Sequence, residues 1–108
     1  MMKWYHYVMC FFGGAFTANF FPHFVNGISG RMFPTPFNAL FGQPAPPVGV
    51  SPAPVNVAWA LANLVVGYVL LRYGRFFEIK SWANTLVVFV GFAAMGLMLA
   101  NTFAAAPH

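Results

Sequence analysis

Three histidines, one cysteine and a single acidic residue make up almost the whole chemical inventory of this chain. Histidine is a common axial ligand of haem iron, so His6 and His23 are the candidates for a cofactor site. Seventeen positions separate them. That is about 25 Å along one helix at ~1.5 Å per residue, too far for both to hold one iron. A haem would therefore need a further histidine from a partner subunit. His6 stands beside Lys3 and His23 follows Pro22, which points to hydrogen bonding at a membrane interface. His108 is terminal and is expected to be unordered.

Cys10 has no second cysteine to pair with, so an intrachain disulfide and a thiolate-rich metal site are both excluded, and no metal is expected. Aspartate is missing altogether, which removes a Ser-His-Asp set. Glu78 lies among basic residues rather than inside an apolar run, so ion-coupled transport lacks its intramembrane acid. The Gly27-Ile28-Ser29-Gly30-Arg31 stretch offers backbone amides and a cation to an anion or a lipid phosphate; the plainer reading is a turn with Arg31 reaching the headgroups. Phe11, Phe12, Phe16, Phe20, Phe21 and Phe24 build an aromatic wall suited to lipid, to partner helices, or to a flat ligand such as a quinone or carotenoid. None of these features makes the chain an autonomous enzyme. A haem or quinone enters only with a partner subunit.

The surrounding composition explains the thin chemistry. Hydrophobic residues make up 60% of the chain and charged residues 6%, against about 25% charged in a soluble domain. So little polar surface cannot cover a globule in water, and lipid is the natural solvent for the outside. The net charge of +4 does not form a nucleic-acid-binding face, because Arg72, Arg75, Glu78 and Lys80 cluster between two apolar runs while Lys3 and Arg31 stand alone.

Those apolar runs predict an all-α integral membrane protein with three transmembrane helices and a Pro-rich extramembrane loop between the first two. Helix 1 is expected at about 4–25, weakened by Gly13-Gly14 and Pro22 and retained rather than cleaved as a leader. The loop covers 26–51, where prolines rule out regular structure. Its Met32, Phe33, Phe37, Leu40 and Phe41 call for cover by the membrane surface or a partner, with one short helical turn near 37–41. Helix 2 is expected at about 52–73 with Ser51 as its cap and Gly74 as its stop, the turn at 74–80, helix 3 at about 81–103 with Ser81 as its cap, and a tail at 104–108.

Three crossings put Lys3, Arg72, Arg75 and Lys80 on one side and Arg31 on the other. The basic side is the cytoplasmic one, so the N-terminus is expected in the cytoplasm and the loop and C-terminus across the membrane; a bacterial inner membrane suits this pattern.

Helices in lipid associate through small residues and interhelical polar contacts. The first helix offers His6, Cys10, Gly13, Gly14 and Thr17 on one face, and the second Asn56, Ala60, Asn63 and Gly67. The third offers Asn84, Gly91 and Met98 with Asn101 or Thr102 on one face, and Gly96, Ala100 and Ala104 on another. Asn63, near mid-membrane, is expected to find an interhelical hydrogen bond. So many seams exceed what three helices need, which points to an accessory or structural subunit that docks onto other membrane chains. A homo-oligomeric channel or transporter lined by Asn56, Asn63 and Asn84 is the second expectation, and copies of the chain are then the partners.

Overall fold

A computed structural model describes residues 2–104 of the chain. Residues 105–108, with His108 and most of the expected tail, lie outside the described residues. The architecture is all-helical: α1 (Trp4–Ile28), α2 (Ala53–Tyr73) and α3 (Trp82–Ala104), with one short 3-10 turn, Asn38–Phe41, in the loop. The helices have 25, 21 and 23 residues, and each is long and apolar enough to cross a membrane. At ~1.5 Å per residue the shortest is about 31 Å, matching a hydrocarbon core of ~30 Å.

One helix end differs from the sequence-based boundary, and a second, at the expected Tyr73, is closed by a different residue, each for a local reason. α1 passes through Pro22 and continues to Ile28. The proline forfeits one backbone bond, yet its carbonyl accepts from Asn26 Nδ2 at 2.7 Å, and Gly27 packs against Ala53 and Val57 of α2. The helix ends where Gly30 takes φ 73°. There the amides of Gly30 and Arg31 return to the carbonyls of Gly27 and Asn26, a Schellman closure.

At the end of α2 the residue in the left-handed region is Arg75, at φ 63°, while Gly74 stays helical at φ −75°. Gly74 is small for a different purpose: an added Cβ would stand 3.0 Å from Cys10 Sγ and 3.1 Å from the His6 carbonyl oxygen. Close approach to α1 takes the glycine, and arginine takes the turn. The amides of Arg75 and Phe76 then close onto Arg72 and Leu71 in a second Schellman arrangement.

Of the two serine caps the sequence suggests, one works. Ser51 does not cap α2; its hydroxyl is held by Thr35 Oγ1 and Asn38 Oδ1, both at 2.6 Å, within the loop. Ser81 does serve α3, accepting from the Asn84 amide at 3.3 Å while its own hydroxyl donates to Asn84 Oδ1 at 3.1 Å.

α1 is the shared partner of the other two helices; α2 and α3 do not pack on one another. Consecutive residues on a helix point about 100° apart, and the adjacent glycines use this. Gly13 faces Leu71 of α2, whereas Gly14 faces the Val88 carbonyl and the Phe92 amide of α3. The five-residue face expected on α1 is therefore divided between two neighbours.

Candidate functional site

Most of the buried polar side chains among the described residues gather into two places: a ladder along the α1–α2 seam and a plug where the loop covers one end of that seam. The ladder runs antiparallel. Cys10 Sγ lies 3.4 Å from the Gly74 carbonyl oxygen. Two turns on, Gly67 sits against Thr17 and the Gly13 carbonyl, and Thr17 Oγ1 donates back to that carbonyl at 2.8 Å. Next, Asn19 Nδ2 donates to Asn63 Oδ1 at 2.9 Å while Asn63 Nδ2 donates to the Trp59 carbonyl at 2.8 Å, so both ends of the Asn63 amide are used. Ala60 is fully buried between this rung and the plug.

Asn56 belongs to the plug. Its Nδ2 donates to the carbonyls of Phe33 at 2.8 Å, Ser51 at 3.1 Å and Pro52 at 3.3 Å, which fixes its oxygen toward His23 Nδ1 at 2.9 Å. An amide oxygen only accepts, so His23 carries its proton on Nδ1. Around this pair, Phe33 and Ser51 form an isolated antiparallel bridge, and Asn38 Oδ1 accepts from the Thr35 amide at 3.0 Å. Thr35, Asn38, Ser51 and Asn56 are all essentially inaccessible. No buried side-chain nitrogen or oxygen among the described residues lacks a partner.

The inner face of the loop thus packs on its own chain. Phe33 lies 5.4 Å from the His23 ring and 4.7 Å from Phe103 at the end of α3, and Phe37 is 5.2 Å from Trp59. The outer face keeps Met32, Leu40, Phe41 and Val48 exposed, Leu40 at 78%.

His6 and His23 are both buried within the chain, and neither offers a lone pair to a ligand from outside. His6 Nδ1 accepts from the Lys3 amide at 2.9 Å, which places the proton of the neutral ring on Nε2. His23 keeps a lone pair on Nε2, but it is 3% exposed and its ring stands edge to face with Phe33 and Trp59. No group of three or more metal-binding side chains occurs among the described residues. Arg31 is exposed and donates from Nε to Asn26 Oδ1 at 3.0 Å. The amides beside it close the end of α1, so they are not free to cradle an anion.

The α1–α3 contact is of another kind. A Cβ at Gly91 would overlap the Phe11 carbonyl, and one at Gly14 would overlap the Val88 carbonyl, so the two backbones cross at these glycines. Phe21 and Phe92 meet edge to face at 5.9 Å. Beside the crossing an apolar cleft of about 210 Å³ is lined by Phe11, Phe12, Ala15, Ala94, Met95 and Met98, with no polar side chain to orient a quinone carbonyl. Asn84 is buried as part of the α3 cap, its Nδ2 donating to the Ile79 carbonyl. Gly96 has nothing near it, and Met98, Ala100, Asn101 and Ala104 are exposed.

Family models, characterised proteins and solved structures offer no counterpart to this arrangement of helices, plug and loop. Any functional reading therefore rests on the polar plug, the seams and the surfaces left open. The plug and ladder escape sequence reasoning in part because their bonds join residues up to 64 positions apart. The available signal was the number of asparagines at helical spacing on an otherwise apolar chain.

Proposed function

We propose that the protein is an accessory, structural subunit of a larger membrane assembly, which it joins through the open face of α3 and the outer face of the Pro-rich loop. The observation carrying this reading is the exposure of α3. Only Asn84 and Gly91 are buried along it, and Gly96, Ala100 and Ala104 present a small-residue row with nothing against it. Such a row allows close backbone approach by another helix. The other seams, through Gly13, Gly14, Asn56, Ala60, Asn63, Gly67 and Gly91, are spent inside the chain, so the surplus narrows to this one face and the loop.

The orientation proposed has the N-terminus in the cytoplasm of a bacterial cell and the loop beyond the inner membrane. Support comes from the approach of Gly74 to His6, which puts Lys3 and the Arg72–Lys80 turn at one end, with Arg31 at the other.

Purification in mild detergent tests the assignment. The chain should migrate in an assembly with a second polypeptide; a stable lone monomer would count against it. A homo-oligomeric channel or transporter draws less support, because the amides of Asn56, Asn63 and Asn84 that would line it are already hydrogen-bonded within one chain. Haem ligation by His6 or His23 draws less again, for the tautomer and burial already described.

A further inference from the structure

A cleft of about 570 Å³ lies at the basic end and takes no part in the α1–α2 and α1–α3 seams; Phe76, Phe77, Lys80, Ser81, Trp82 and Thr85 are among the residues that line it. We propose that this cleft binds an anionic phospholipid, with the headgroup phosphate at Lys80 and the start of an acyl chain against the aromatic wall.

Charge complementarity points to this occupant. Four of the five cations of the chain, Lys3, Arg72, Arg75 and Lys80, are at this end with the only acid, Glu78. Glu78 Oε2 is taken by Arg75 Nε at 3.1 Å, and among the described residues Lys80 at the cleft is paired with no carboxylate. Outside the cleft, Arg72 donates to the Tyr68 hydroxyl at 3.2 Å, and the Tyr68 ring lies 5.7 Å from Phe77 of the wall.

The walls select an amphiphile. Phe76 and Phe77 meet edge to face at 5.4 Å and Trp82 is 89% exposed, the position of an indole at headgroup level. A soluble phosphate would leave these rings unused, and a zwitterionic lipid would bring its own ammonium toward Lys80. A basic pocket beside the ends of membrane helices is a recurring way to hold an acidic lipid. The cleft is also held in shape: the closure at Arg75 fixes its α2 side, and buried Asn84, bonded to Ile79 and Ser81, fixes its α3 side.

Native mass spectrometry of the purified chain, given equal phosphatidylglycerol and phosphatidylcholine, tests the proposal without reference to any protein partner. The wild type should retain one phosphatidylglycerol in preference. Lys80→Gln should lower that preference about fivefold, the worth of one cation near a headgroup. Thr85→Trp, which fills the cleft, should abolish it, and Arg31→Gln at the opposite end should leave it unchanged. Equal retention of the two lipids, or wild-type preference in Lys80→Gln, would overturn the proposal. So would displacement by glycerol phosphate in solution, since that would assign the cleft to a soluble phosphate. Should Thr85→Trp fail to fold, Lys80→Gln decides.

Discussion

α2 and α3 lean on the same central helix by different means. α2 is fastened to α1 at every turn by a hydrogen bond or a glycine, from Cys10–Gly74 at one end to His23–Asn56 and Gly27–Ala53 at the other. Between α1 and α3 no side-chain hydrogen bond is found among the described residues; two glycine crossings and an aromatic edge contact hold them. In lipid, burying an apolar side chain against another gains little, so polar rungs and close backbone approach carry helix association. The difference teaches which helix is held by polar rungs and which by close packing alone: α2 forms a stapled hairpin with α1, and α3 is attached through its glycine approaches and aromatic contact while most of its surface stays open.

Breaking that crossing should have the largest effect. Gly91→Leu drives a side chain into the Phe11 carbonyl, and overpacking of this order costs about 3 kcal/mol. Cysteines placed across the α1–α3 contact should cross-link in the parent protein and lose that link in Gly91→Leu, while pairs across α1–α2 persist. Asn56→Leu comes next. It leaves the His23 donor without its acceptor and takes from the Phe33 and Ser51 carbonyls the second of their two donors, at about 2 kcal/mol. The expected readout is rapid proteolysis of the loop with the three helices retained by circular dichroism.

Asn63→Leu should be milder, about 0.6 kcal/mol, the average worth of an interhelical hydrogen bond in a membrane. Adding Asn19→Leu to it should cost little more, because the two amides answer each other. Detergent-unfolding midpoints of the single and double variants check both statements. Smallest of all, Gly96→Leu should leave the isolated chain within about 0.5 kcal/mol of its original stability, since nothing stands near that position.

How much of this could be read from the residues alone follows the same divide. Three spans and their charged connection are legible because length, apolarity and the placement of Arg72 to Lys80 are local properties. An asparagine in mid-span announces that it needs a partner; that Asn63 meets Asn19 is not written locally. Gly13 and Gly14 look equivalent in the chain, and only the fold assigns one to Leu71 and the other to Val88. Ser51 and Gly74 have ordinary cap chemistry, yet the loop claims the serine hydroxyl and the approach of α1 claims the glycine. The loop could be seen to need cover, but its contact with Phe103 joins residues 70 positions apart, which no pattern of period 2 or 3.6 reports.

The central claim, that α3 keeps a face for another polypeptide while α2 does not, has a direct test. Cysteine is placed singly at Gly96 on α3 or at Val65 on the exposed side of α2, with buried Cys10 left silent, and a short bifunctional thiol reagent is applied to native membranes. Gly96→Cys should give one adduct of defined mass with a second chain, and Val65→Cys none. Equal adducts from both positions, or none from either, would contradict the account.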